Sequence, residues 1–167
     1  MRADQWYLAE ENFNSVRRKA RRSRIMSFLR RRTDNLLSFE DVKKITAPTG
    51  ESYIGCKSVQ VERIVGSEGR NQDYNGSFCP RREFMRHRWC KVDLAFYEGT
   101  DLPAVQLLEL GGVFFVRDGN HRVSAARTHG ITYIDAEVIR LDADIELLPN
   151  MTMSDIEQRA SGSRVAV

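Results

Sequence analysis

The spacing of apolar and polar positions divides the 167-residue chain into elements. Val113, Phe114, Phe115 and Val116 are four apolar residues in a row, which suits a buried strand, and Asp118-Gly119 is a turn signal. Asn120, His121 and Arg122 then open a predicted helix, whose Val123, Ala125 and Ala126 suit close packing on a sheet before Gly130 stops it. Residues 58–65 and 132–139 alternate as half-buried strands, and residues 104–110 form a strand that Gly111-Gly112 turns back into Val113. Phe84, Met85, Trp89, Val92, Ala95 and Phe96 recur at helical spacing between Pro80 and Gly99, which predicts the longest core helix. Ser38, Phe39, Glu40 and Asp41 have the form of a capping box opening a short helix through Lys44, ended by Pro48, Thr49 and Gly50. Residues 144–148 suit one helical turn, and residues 151–167 a weak helix with a frayed tail.

These elements predict an α+β domain over about residues 59–141, a small mixed sheet flanked by helices. The chain divides into a basic helical extension (1–37), the α+β domain (38–150) and a C-terminal tail (151–167).

Charge changes the picture at one end. Residues 1–40 hold ten Lys/Arg against five Asp/Glu, and residues 41–167 hold sixteen against eighteen, so the net charge of +3 belongs to the N-terminal segment. Residues 14–32 predict a basic helix with a ragged apolar stripe of Phe13, Val16, Ala20, Ile25, Phe28 and Leu29, mobile or docked on a partner. Its Arg17, Arg18, Lys19, Arg21, Arg22 and Arg24 make an electrostatic footprint for nucleic acid or another polyanion such as an anionic membrane surface. A solvated arm that only aids solubility accounts for the same charges. No apolar run approaches a membrane span, and the N-terminus lacks a signal-peptide core. Cys56, Cys79 and Cys90 are odd in number and suit reduced thiols in a cytoplasm. Cys79, His87 and Cys90 lack both a finger spacing and a fourth ligand, which argues against zinc.

Candidate chemistry concentrates at the turn. A helix N-terminus presents unpaired N–H groups and a positive dipole end, and His121 and Arg122 there suit a phosphate. A tight turn whose polar residues cap the helix and pair with Asp118 uses the same residues. Upstream, the polar stretch 66–77 contains three glycines, with Glu68, Arg70 and Asp73 as its chemical groups. A mobile surface loop is the alternative. The basic side chains Arg81, Arg82, Arg86, Arg88 and Lys91 of the long helix suit a solvated face.

The strand over residues 59–64 followed by Arg70, then Leu102-Pro103-Ala104-Val105, the stretch 113–127, and Gly130-Ile131 before residues 134–138 together resemble the ParB/sulfiredoxin superfamily over about residues 58–141. Gly119-Asn120-His121-Arg122 stands where ParB N-terminal domains carry a Gly-Glu-Arg-Arg phosphate box, matching it at Gly119 and Arg122. Sulfiredoxins read Gly-Gly-Cys-His-Arg there, and Asn120 replaces their reactive cysteine, so sulfinic-acid reduction is not expected. The superfamily's free serine kinases carry a similar Asp-Gly-x-His-Arg turn, matched by Asp118, Gly119, His121 and Arg122. Residues 36–141 are also similar to a bacterial group of ParB-like proteins that shares Leu-Ser-Phe-Glu, Gly-Ser-x-Gly-Arg, Arg-Asp-Gly-Asn-His-Arg and Ile-Asp-Ala.

The resemblance implies a nucleoside di- or triphosphate, ATP or CTP, held by Gly119, Asn120, His121, Arg122 and Arg70, with Mg²⁺ at Asp118 and Asp118 or Glu68 as base. His121 would donate a hydrogen bond or add charge. Three functions follow. One is a nucleotide-binding ParB-like module associated with DNA through its basic helix. The second is a small phosphotransferase or nucleotide hydrolase, and nuclease activity ranks below both. The third is a protein-interaction adaptor that keeps the fold without the ligand. No helix-turn-helix or dimerisation domain follows the fold, so partition-complex formation is not expected, although a homodimer stays open.

Overall fold

The computed structural model describes residues 3–29 and 34–165. Its helices are α1 (Ala3–Leu29), α2 (Phe39–Thr46), α3 (Arg86–Glu98), α4 (Asn120–Thr128) and α5 (Met153–Val165). Its strands are β1 (Leu37–Ser38), β2 (Gly50–Gln60), β3 (Ile64–Ser67), β4 (Val105–Leu110), β5 (Val113–Asp118) and β6 (Tyr133–Asp142). The strands form one mixed sheet in the order β1-β3-β5-β4-β6-β2. The β4–β5 hairpin and the β2–β6 pair are antiparallel; β1–β3, β3–β5 and β4–β6 are parallel.

The centre of the sheet is buried on both faces. Val105, Leu107, Phe114, Val116, Ala136 and Val138 pack with α1, α3 and α4 on one side. Leu108, Leu110, Val113, Phe115 and Leu141 pack with α2, Leu147 and Ile156 of α5 on the other. That is why β5 reads as an unbroken apolar run and not as an alternation.

The strand expected over residues 58–65 is divided. β2 begins at Gly50 and ends at Gln60, a 3-10 turn occupies Val61–Arg63, and β3 then joins the far part of the sheet. β2 and β3 stand four places apart, about 19 Å in a flat sheet, yet Gln60 and Ile64 are joined by a link that spans at most about 14 Å. The sheet must therefore curl to bring its ends together. Arg127 holds the turn, donating from Nη2 to the Val61 and Ile64 carbonyls at 3.1 and 2.7 Å.

Other expectations change with the packing. The longest helix is α1, not α3, and it starts at Ala3, well before residue 14. Residues 30–32 of the expected basic helix lie outside the described residues. Pro80 does not open α3. It forms an isolated bridge with Tyr74, and a 3-10 turn at Glu83–Met85 precedes the helix, which leaves Phe84 exposed and out of the core. Residues 144–148 are not helical. They carry no regular secondary structure and pass beside the β4–β5 turn, where Leu147 N–H donates to the Gly111 carbonyl at 2.7 Å. α2 keeps its expected start, with Ser38 Oγ accepting from Asp41 N–H at 3.2 Å, but runs to Thr46 and ends on a left-handed Ala47.

α1 lies on α3 as part of the core, burying Ala9, Phe13, Val16 and Ala20. Asp93 of α3 is fully buried. Its Oδ2 accepts from Asn12 Nδ2 of α1 at 3.0 Å, and its Oδ1 lies 2.8 Å from Nε2 of His129, which follows α4. Trp89 Nε1 donates to the buried Ser124 Oγ of α4 at 2.8 Å. Removing the Asp93 carboxylate takes the acceptor from His129 and one of the two from Asn12, whose Nδ2 also donates to Tyr97 OH at 2.9 Å, and Asp93→Ala should lower unfolding stability by about 2–3 kcal/mol. The urea midpoint with unchanged m-value checks it, and Asp93→Asn should lose less.

Candidate functional site

α4 begins where β5 ends, and only glycine can make that junction. Gly119 has φ of +105°, and a Cβ there would lie 2.6 Å from Val105 Cγ1 of the neighbouring strand. The tight turn delivers the α4 N-terminus to the end of the sheet. The N–H groups of Asn120, His121 and Arg122 precede the first helical bond, from Val123 N–H to the Gly119 carbonyl at 3.0 Å, and the N-cap has no side chain to satisfy them.

These groups line an open pocket of about 410 Å³. Its wall brings together seven residues singled out in the sequence: Glu68, Arg70, Asp118, Gly119, Asn120, His121 and Arg122. It also includes Tyr74, Arg88, Val92 and Arg117, which sequence reasoning missed as site residues. Four guanidinium groups thus face two carboxylates across one opening. Arg17, Arg18, Lys19, Arg21, Arg22 and Arg24 of α1 are not part of this wall.

The charges fall into two kinds. Arg122 is tied down. Its Nη1 donates to the Pro103 carbonyl and, at 2.8 Å, to that of Ala104, while Nη2 donates to Asp118 Oδ2 at 2.6 Å. The guanidinium expected to clamp a phosphate therefore also anchors the chain entering β4, and Asp118 orients it. Glu68 is similarly engaged, accepting from Arg117 Nε at 3.1 Å. By contrast, Arg70 and Arg88 are exposed at the rim, with Arg70 Nη1 3.2 Å from Asp73 Oδ2.

His121 is neutral, not a charge. Tyr74 OH hydrogen-bonds its Nδ1 at 3.0 Å, and burial raises the Tyr74 phenol far above its usual range. With the hydroxyl as donor, the neutral ring carries its own proton on Nε2. Burial, helped by the Arg70 and Arg88 charges and opposed by Asp73, pushes the His121 imidazole down to about 4.

The loop that brings Glu68 and Arg70 here is pinned, which corrects the mobile-loop alternative. Tyr74 and Phe78 are buried, and Asn75 Oδ1 accepts from Ser77 N–H at 3.1 Å and Cys79 N–H at 2.8 Å. A lone aromatic at Tyr74 amid polar residues was the one available hint of this. Nothing in the sequence distinguished Arg88 from the other cations of α3.

Among the described residues no three His, Cys, Asp or Glu side chains gather to hold a metal ion alone. Glu68 and Asp118 fit a magnesium ion only as one or two carboxylates supplementing phosphate oxygens, the usual way this ion binds. Asp118 Oδ1 has no hydrogen-bond partner among the described residues.

The chain matches no family model, no curated protein sequence and no solved structure.

Two outcomes test this geometry. Gly119→Ala meets both a strained φ and the Val105 side chain, and should cost at least about 2 kcal/mol in chemical denaturation. Folded His121 stays neutral to about pH 4, while the unfolded chain protonates near the ordinary 6.5. The unfolded state binds more protons between those values, so His121 makes stability fall as pH drops from 6.5 to 4. Urea midpoints over that range should fall less steeply in His121→Gln than in the wild type.

Proposed function

We propose that this chain is a ParB-like module that binds a nucleotide through its phosphates at the α4 N-terminus. The observation that carries this reading is the set of uncapped N–H groups at Asn120, His121 and Arg122, lining a pocket ringed by Arg70, Arg88, Arg117 and Arg122. Backbone N–H groups would cradle the oxygens, neutral His121 would hydrogen-bond them through Nε2, and the exposed Arg70 and Arg88 would close on the charge. The resemblance at Gly119, His121 and Arg122 supports the same ligand class, ATP or CTP.

Binding fits the carboxylates better than hydrolysis or phosphoryl transfer does. Glu68 pairs with Arg117 and Asp118 with Arg122, so each carboxylate is already engaged by a guanidinium in place of a reacting hydroxyl or water. Magnesium, when bound, would neutralise phosphate charge, with Asp118 and Glu68 the residues to hold it.

Thermal unfolding with ATP, ADP, CTP and GTP, each with Mg²⁺, tests the proposal. At least one nucleotide should raise the Tm of the wild type. Arg70→Ala and Arg88→Ala remove exposed cations, so each should leave the unliganded Tm unchanged and weaken binding by about 10-fold or more. Arg122→Ala is the poorer probe because it also frees the Pro103 and Ala104 carbonyls. No shift with any nucleotide would overturn the proposal.

A further inference from the structure

Away from the pocket, α1 carries a second face that the fold does not use. The stripe that docks on α3 is Ala9, Phe13, Val16 and Ala20, at the three- and four-residue steps of one helix side. Arg18, Arg21, Arg22, Ile25, Phe28 and Leu29 follow the same steps, but at 100° per residue they fall on the opposite side. Their side chains point to solvent: Phe28 is 83% exposed, Leu29 69% and Ile25 62%, with Met26 beside them at 44%. Arg18, Arg21 and Arg22 are all exposed, flanked by exposed Lys19 and Arg24. Arg17 differs from them, since it turns back to pair with Glu83. In the sequence the apolar group is followed by three more arginines, at positions 30–32.

We propose that this outer face of α1 binds an anionic phospholipid surface. Two properties of the stripe select that partner. Its arginines suit phosphate-bearing headgroups, and their long stems let the charge stay at headgroup level while the helix lies in the interface. Its four large apolar side chains gain from hydrocarbon and nothing from a nucleic-acid backbone, whose affinity comes from cation contacts alone. Among the described residues no helix is long and apolar enough to cross a membrane, so the contact is a surface one.

Co-sedimentation of the full chain with vesicles tests the proposal, using phosphatidylcholine alone and phosphatidylcholine with phosphatidylserine at about one part in three. The chain should bind the anionic vesicles and not the neutral ones. The Arg18→Gln, Arg21→Gln, Arg22→Gln triple variant should bind them about 100-fold more weakly, since each cation near such a surface contributes about fivefold. Phe28→Ser with Leu29→Ser should remove the binding that persists at high salt. All five positions face away from the core, and circular dichroism and unchanged Tm confirm that the variants fold. Absence of binding to anionic vesicles overturns the proposal. So does binding that the apolar variant leaves intact, which would make the contact purely electrostatic. A duplex or single-stranded oligonucleotide bound in place of vesicles, and lost in the triple-arginine variant, assigns the face to nucleic acid instead.

Discussion

A carboxylate removed completely from water has to be matched, and Asp93 is matched from two other helices at once. Asn12 reaches it from α1 and His129 from the end of α4. An unpaired charge at that depth costs several kcal/mol, a large share of the stability of a domain this size. The three helices can therefore pack in only one relative arrangement without leaving the carboxylate orphaned. One turn earlier, the Trp89–Ser124 bond adds a second buried polar contact between α3 and α4. Arg88 and Val92 sit on the same helix as these residues, so the forces that fix α3 also fix the far wall of the pocket.

The near wall depends on a different economy. Arg122 spends much of its donor capacity on two backbone carbonyls and Asp118, which makes it rigid. A rigid guanidinium at a helix N-terminus is a preorganised half of an anion site, requiring no reorganisation when charge arrives. In the proposed site Arg70 and Arg88 supply the other half from exposed positions. A neutral His121 suits this division. It contributes direction through one N–H without adding a positive charge whose burial would destabilise the empty pocket.

Much of this was legible in the chain, for local reasons. The β4–β5 hairpin, the Gly119 turn and α4 depend on glycines and on runs of apolar residues that act over a few positions. What was not legible depends on contacts far apart in sequence. The break at Val61–Arg63 follows from the curl of the whole sheet and from Arg127, and no local pattern announces either. Residues 50–57 lie on the β2 edge strand and are mostly exposed, so they lack the alternation that marks a half-buried strand. Arg88 became a site residue only when α3 was placed beside α4. The seven pocket residues picked out in advance lie on two short stretches, 68–70 and 118–122, where spacing alone brings some of them together.

α1 shows why a mixed pattern can carry more information than a clean one. Its apolar residues look ragged because two stripes are superposed, one inward over Ala9 to Ala20 and one outward over Ile25 to Leu29. On opposite sides of one helix, their contributions to amphipathicity oppose each other and the net periodicity fades. A helix that served only the core would keep polar residues on its outer face, since exposed Phe and Leu gain nothing in water. A solvated arm would need neither stripe. The inner stripe is accounted for by α3, and the outer stripe, preceded by arginines on its own side, has no function within the fold. Its chemistry is that of a surface waiting for an apolar, negatively charged partner.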